Sequence, residues 1–243
     1  MVVGRIAYDG SLFHGFARQK HTNRTIETRL MQALKAVGIG EKILYAGRTD
    51  AKVHAFGQVV AFRAQDFWQM HELKSHLNRL LKNEVFFKSL RRTSDDFHPR
   101  FCASSRMYRY LIFTSTPTPF LNNYALFANP DLTRLNEALA LFHGEIDLEF
   151  FHKTGSNQTN TIRQFFRSFA YKHKDFIVIC IEASGFLRAS VRLIVSACLA
   201  YARSEIKIEQ VLAQIKAQKR IITNPVSPNG LYLSRVRYSG KFI

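Results

Sequence analysis

Apolar residues recur at intervals of three and four positions in several segments of the chain, most clearly at 187–203. The apolar residues of this segment share one face of a helix with about 3.6 residues per turn: Leu187, Val191, Ile194, Val195, Cys198, Leu199 and Ala202. The same spacing predicts shorter helices at residues 26–37, 69–81, 131–143 and 208–218. Thr25 precedes the first of them and is predicted to cap its free backbone amides.

Other segments have the shorter repeat of a β-strand, in which successive side chains point to opposite faces. Strands are predicted at residues 2–8, 42–46, 57–63, 84–91, 107–113 and 230–238. Residues 161–172 and 176–183 form a predicted hairpin, with His173, Lys174 and Asp175 at the turn.

The order of these elements predicts the fold class. Helices and strands are interspersed, and alternating strands are typical of antiparallel sheets that helices cover on one face. The predicted class is therefore α+β. A second unit begins near Ser104, so the prediction is two α/β halves, 1–103 and 104–243.

The charge of the chain indicates the kind of partner. Its 243 residues include 35 Lys and Arg against 18 Asp and Glu, a net charge of +17. So large an excess opposes compaction by self-repulsion, and it usually serves a polyanionic partner. Nucleic acid is the first candidate. An anionic membrane is weaker, because no predicted helix combines a lysine-rich face with a broad apolar one.

The cysteines and the first residues indicate the compartment. Cys102, Cys180 and Cys198 are odd in number, widely spaced and set in apolar segments, which favours reduced thiols over disulfides or a zinc cluster. Arg5 and Asp9 lie within the first ten residues, so a signal peptide is not expected there. Both observations predict a cytoplasmic protein.

Several common chemistries are not supported by motifs. His71 and His76 resemble a zincin pair, but five residues place them about 140° apart on a helix. The sequence contains no P-loop, no dinucleotide-binding G-x-G-x-x-G and no G-x-S-x-G elbow. We therefore expect neither a nucleotide cofactor nor a metal.

One short segment, 47-GRTDAKVHAFGQVVAF-62, places a single carboxylate, Asp50, between Arg48 and Lys52. The residues alone allow two interpretations. Thr49 and Asp50 can cap backbone amides in a surface turn. Alternatively, Asp50 is a nucleophile that its cationic neighbours keep ionised.

Two further segments contain candidate binding residues. Residues 104–113 interleave Arg106 and Arg109 with Tyr108 and Tyr110, a combination that can stack on a base and hold its phosphate. An ordinary half-buried strand is the alternative. In the helix at 187–203, Arg192 lies at the edge of the apolar stripe. Its guanidinium either reaches water or pairs with a carboxylate, for which Asp50 is a candidate.

Together these segments resemble the tRNA pseudouridine synthase A family. The matching segments follow one another over nearly the whole chain: 7-AYDGSLFHGFARQ-19, 47-GRTDAKVHAFGQVVAF-62, 97-FHPRFCASSRMYRY-110, 143-HGEIDLEFF-151, 186-FLRASVRLIV-195 and 230-GLYL-233. The resemblance implies two α/β halves, each a mainly antiparallel sheet backed by helices, with a basic cleft between them. It also implies a homodimer that isomerises uridines 38, 39 and 40 of the tRNA anticodon arm without cofactor or metal.

The resemblance also implies roles for individual residues. Asp50 is the expected nucleophile, and Arg48 is expected to hold the flipped-out nucleotide. Tyr108 is expected to stack on the target base and to help remove the C5 proton. Arg192 is expected to pair with the catalytic carboxylate, and Leu231 to wall the uracil pocket.

The chain departs from the family pattern at two positions, since Lys52 stands where the family usually has Gly, and Leu193 where it usually has a polar residue. Neither departure removes a proposed catalytic group. Two alternative functions remain: a non-catalytic RNA-binding module, and a pseudouridine synthase that acts on other RNA uridines.

Overall fold

The computed structural model describes residues 1–40, 42–153 and 160–239. The chain forms two compact units. The first unit contains residues 1–104 together with the described residues 232–239, and the second contains residues 105–231. The predicted division into two α/β halves, 1–103 and 104–243, stays a prediction.

The first unit contains a sheet in which pairing is mostly antiparallel. Its strands are β1 (Val2–Tyr8), β2 (Leu44–Tyr45), β3 (His54–Phe62), β4 (Val85–Arg92) and β10 (Leu231–Tyr238). The order is β4-β1-β3-β10, and β2 pairs with β3. The last strand runs parallel to β3, with Tyr232 opposite His54, whereas β1 is antiparallel to both β3 and β4.

Two helices belong to this unit, α1 (Ile26–Ala36) and α2 (Met70–Leu81). The predicted cap of α1 is confirmed, because Thr25 Oγ1 accepts a hydrogen bond from the Thr28 amide at 3.2 Å. One face of each helix is buried, by residues at helical spacing: Ile26, Leu30, Ala33 and Leu34 in α1, and Leu73, Leu77 and Leu81 in α2. These residues supply the helical side of the unit's core.

The second unit has its own, largely antiparallel strands. They are β5 (Ala103–Phe113), β6 (Leu126–Phe127), β7 (Gly144–Asp147), β8 (Ile162–His173) and β9 (Phe176–Ala183). Their order is β5-β9-β8-β7, with β6 parallel to β5. The predicted β8–β9 hairpin is confirmed, and Lys174 at its turn has a φ of 53°.

The helices of the second unit are α3 (Leu132–Ala140), α4 (Ser190–Ala202) and α5 (Ile208–Ile215). Helix α4 is buried on most of its surface, because it packs against both α3 and α5. Its buried residues include Leu193, which is 3% exposed, so the residue that departs from the family pattern serves the core.

The predicted α+β class is confirmed. The helix predicted at 187–203 begins three residues later, at Ser190, because Ala189 adopts the left-handed conformation with φ of 61°. Cys180 and Cys198 are buried free thiols, and Cys102 is a half-buried one. Over the described ranges, no helix has the length and apolar character needed to cross a membrane.

Candidate active site

Asp50 lies in the loop that joins β2 to β3 in the first unit, and backbone contacts fix both ends of this loop. At its start, the Ala46 amide donates to Val59 O at 2.9 Å, and the buried Gln58 side chain donates to Gly47 O at 2.7 Å. At its end, the Val53 amide donates to Asp50 O at 3.2 Å. The carboxylate is thus carried by a short turn with a defined backbone.

The segment that follows β1 braces the same loop. The Phe16 amide donates to Thr49 O at 3.0 Å, and the Lys52 amide donates to Phe13 O at 3.3 Å. A buried hydrogen bond of 2.8 Å joins the hydroxyls of Tyr8 and Thr49. Thr49 therefore points into the protein, 7% exposed, and the neighbouring Asp50 is only half-buried.

Two glycines allow this close packing of loop and segment. A side chain on Gly10 would overlap the backbone carbonyl of Val53. Gly15 has a φ of 102°, and a Cβ there would lie 3.2 Å from Thr49 O. Both positions need the absence of a side chain, Gly10 for close approach and Gly15 also for its left-handed backbone.

Arg48 is exposed and lies two residues before Asp50. Its Nε is 3.3 Å from the Tyr45 hydroxyl, and this hydrogen bond raises the pKa of the guanidinium above its ordinary value. Arg48 therefore presents a permanent positive charge beside the carboxylate-bearing turn.

Sequence reasoning missed two residues that support the turn, Tyr8 and His54, although both lie inside the quoted motifs. The imidazole of His54 is buried, and its Nδ1 accepts the Gly10 amide at 3.1 Å. Asp9 Oδ1 lies 3.3 Å from the same nitrogen. Because Nδ1 accepts the Gly10 amide, the neutral ring carries its proton on Nε2. The Tyr232 ring stacks on the imidazole with centroids 4.6 Å apart.

Lys52 has a φ of 65°, a left-handed conformation that disfavours side chains and suits the glycine usual in the family. We expect Lys52→Gly to stabilise the fold by about 0.5–1 kcal/mol relative to Lys52→Ala, since both lose the cation and only glycine relieves the backbone. Thermal unfolding should give a midpoint about 1–4 °C higher for the glycine variant. Equal midpoints for the two variants would contradict the backbone argument.

In the second unit, Tyr108 lies on β5 opposite Ile181 of β9. It is half-buried, and its ring meets that of Phe186 nearly at right angles, with centroids 5.2 Å apart. Tyr110, two residues along, is 1% exposed. Burial raises the pKa of Tyr110, and its hydroxyl donates to Ser227 O at 2.9 Å. Of the two predicted stacking tyrosines, Tyr108 is thus the more accessible, and Tyr110 is structural.

Arg192 lies in the first turn of α4 and is half-buried. Its Nε donates to Val226 O at 2.7 Å, and the Val226 amide donates back to Arg192 O at 3.4 Å. By contrast, Arg188 is exposed. The guanidinium of Arg192 is therefore held in place by the loop that precedes β10.

Leu231 begins β10 and is 5% exposed. Just before it, Gly230 packs so closely that a Cβ would lie 2.8 Å from Leu111 O. The position of Leu231 is thereby fixed against β5.

The structure brings Arg48 and Asp50 together in one loop of the first unit, whereas Tyr108, Arg192 and Leu231 belong to the second unit. That Asp50 lies close to Tyr108 and Arg192 stays a prediction. Among the residues that the structure describes, no group of three His, Cys, Asp or Glu side chains could hold a metal ion.

Several known proteins are similar to this chain over much of its length. A family model described as tRNA pseudouridine synthase matches residues 138–239. A tRNA pseudouridine synthase A of Helicobacter hepaticus is 41% identical over 240 residues, which cover 96% of this chain and 97% of the relative. One of Campylobacter jejuni subsp. doylei is 37% identical over 234 residues, with the same coverage.

Among solved structures, a Cbf5-Nop10-Gar1 complex aligns with 82% of this chain and 45% of its own, at 12% identity and a TM-score of 0.39. That similarity is too weak to support a conclusion. The two synthases, by contrast, are related to this chain over nearly its full length. The chain therefore belongs to the tRNA pseudouridine synthase A family, whose members are isomerases that act on uridine in tRNA.

Proposed function

We propose that this chain converts uridine to pseudouridine at positions 38, 39 and 40 of the tRNA anticodon arm, with Asp50 as the nucleophile. The observation that carries the proposal is the turn at Asp50, whose backbone is fixed next to the buried hydrogen bond between Tyr8 and Thr49. Covalent catalysis requires a nucleophile held at the reacting atom. Family membership supports tRNA as the substrate.

The proposed reaction is an isomerisation that gains and loses no atoms. The bond between N1 of uracil and C1′ of ribose breaks, the freed uracil turns, and C5 forms a new bond with C1′. A base removes the C5 proton and N1 ends protonated, so no oxidant or cofactor is required. Asp50 attacks either C1′ of the ribose or C6 of the base.

Arg48 is proposed to hold the nucleotide out of the stem. A base inside a paired stem has to leave the stack before its C1′ can be attacked. Arg48 is exposed and its hydrogen bond with Tyr45 orients the guanidinium. It can therefore bind a phosphate of the flipped nucleotide beside Asp50.

Tyr108 is proposed to stack on the target uracil. Its half-exposed ring is held against Phe186, and aromatic rings bind unstacked bases by their faces. The Tyr108 hydroxyl is also the proposed group that helps to remove the C5 proton.

Arg192 and Leu231 are proposed to complete the site, the first as the partner of the Asp50 carboxylate and the second as a wall of the uracil pocket. The half-buried guanidinium of Arg192 is fixed through Val226, and a partly buried cation gains most from a carboxylate partner. Leu231 offers an apolar side chain at a fixed position.

The wider organisation is also a proposal. The charge of +17 supports a basic cleft between halves 1–103 and 104–243 that binds the anticodon arm in a homodimer in the cytoplasm. Apolar side chains exposed on β8, Ile162, Phe166 and Phe169, support a surface that another chain covers. Light scattering of the purified protein tests this, and a monomer at assay concentrations would contradict the dimer.

The function is tested by incubating the purified protein with unmodified tRNA that carries U38, U39 or U40, without added metal or cofactor, and mapping pseudouridine. We expect conversion at these positions only. Conversion elsewhere would favour a synthase for other uridines, and tRNA binding without conversion would favour a non-catalytic module. The same assay tests the other roles. Full activity of Tyr108→Phe would contradict the proposed role of the hydroxyl. Full activity of Arg48→Gln or of Arg192→Gln would contradict the proposed role of the guanidinium group that the variant lacks.

A further inference from the structure

The outer face of α1 carries a row of polar residues that the proposed catalytic roles do not use. Arg29, Gln32 and Lys35 follow at intervals of three and therefore share one side of the helix. This side lies opposite the buried face of α1. The row is exposed at Gln32 and Lys35 and half-buried at Arg29.

Two cavities adjoin along this face and share Gln32 as a lining residue. The first, of about 460 Å³, is lined by Phe13, Arg24, Arg29, Lys82 and Glu84 among others. The second, of about 310 Å³, is lined by Arg18 and Lys35 among others. Together the two linings contain five cationic side chains and one carboxylate, so the face carries a clear excess of positive charge.

The single carboxylate does not neutralise this excess. Glu84 pairs with Arg29 at 2.7 Å, and Arg29 also donates to Leu80 O. Lys35 and Lys82 are exposed, and neither side chain has a hydrogen bond or ion pair with any residue that the structure describes. Like charges gathered on one face repel one another, a cost that a polyanion would offset.

The first cavity is built on the segment that braces the catalytic loop. Phe13 lines the cavity, and its carbonyl accepts the Lys52 amide. Arg24 donates through Nε to Leu12 O at 2.5 Å, and its own carbonyl accepts the His14 amide at 2.9 Å. A ligand in this cavity would therefore bind to the same rigid part of the chain that positions Asp50.

We propose that the outer face of α1, extended by Arg24 and Lys82, binds backbone phosphates of the tRNA substrate away from the nucleotide at Asp50. The inference rests on the proposed function, because it needs tRNA as the ligand. Two adjoining cavities suit a continuous chain of phosphates better than one small anion. Gln32, where they meet, can donate to a phosphate or a ribose 2′-hydroxyl.

The test removes two unpaired charges, in the double variant Lys35→Gln and Lys82→Gln. Affinity for unmodified tRNA is measured by filter binding at several salt concentrations. Each lost phosphate contact should reduce the slope of log affinity against log salt by about one, hence by about two in the double variant, with weaker binding at every salt concentration tested. The variant Lys35→Arg and Lys82→Arg, which keeps the charges, should retain the slope.

A matched control is Lys216→Gln and Lys219→Gln. These exposed lysines lie at and just beyond the C-terminal end of α5, as Lys35 and Lys82 lie at the ends of α1 and α2. The control loses the same charge and should keep the wild-type slope. Equal salt slopes for the wild type and the Lys35→Gln, Lys82→Gln variant would overturn the inference. An equal decrease of the slope in this variant and in the control would overturn it too. If the wild type itself does not bind tRNA, the proposed function fails instead.

Discussion

Asp50→Asn should lower the rate of pseudouridine formation by at least about 10³-fold, which corresponds to about 4 kcal/mol of transition-state stabilisation. The amide has the shape of the carboxylate but cannot act as the nucleophile. The contacts that fix the loop involve Thr49, Phe13, Phe16 and backbone atoms, so the turn should keep its conformation. Binding of tRNA should persist, because phosphate contacts supply most of the affinity.

Single-turnover conversion at saturating tRNA, with affinity measured in parallel, separates the two effects. The matched control is Asp96→Asn, which changes an exposed aspartate and makes the same change in net charge. It should convert tRNA at the wild-type rate. An Asp50→Asn protein that still converts tRNA within about tenfold of the wild-type rate, a loss of only about 1.4 kcal/mol, would rule out Asp50 as the nucleophile.

Gly10→Ala should destabilise the fold by about 1–3 kcal/mol and reduce conversion as well. The added methyl group would overlap the Val53 carbonyl. The methyl is bonded directly to the backbone and the carbonyl is part of it, so neither can rotate away as a flexible side chain could. Relief requires the segment after β1 to move away from the loop that carries Asp50. The midpoint of thermal unfolding should fall by about 2–4 °C for each kcal/mol.

Gly47→Ala serves as the control for stability. It lies in the same loop, but a Cβ there meets nothing within 4 Å. Its unfolding midpoint should stay close to that of the wild type, with a change within about 0.5 kcal/mol. A wild-type midpoint for Gly10→Ala would show that the close approach to Val53 does not limit the fold.

Much of the fold could be predicted because its long elements have strong local patterns. The periodicity of α1 gave its start at Ile26, with Thr25 as its cap. The strand predicted at 42–46 is confirmed only as the two-residue strand β2, and β6, also of two residues, is too short for a repeat to identify. The start of α4 depends on the left-handed backbone of Ala189, for which an alanine gives no local signal.

The sequence predicts residues of the candidate site, and these assignments stay predictions, but it did not predict the contacts that support the Asp50 loop. Motifs identify Asp50, Arg48, Tyr108 and Arg192, because each stands at a family position. The Tyr8–Thr49 bond joins residues from separate motifs, and no local pattern reports such a distant contact. The only indication of the positive φ of Lys52 in the sequence was that the family usually has glycine at this position.

The parallel pairing of β10 with β3 has a consequence for synthesis on the ribosome. Tyr232 stacks on His54, four residues after Asp50, yet the two are translated far apart in time. The sheet beside the loop that holds Asp50 stays incomplete until residues 231–238 leave the exit tunnel, and contacts so distant in sequence form slowly. Nascent chains thus carry the cationic segments of the protein well before the loop that holds Asp50 is fully supported.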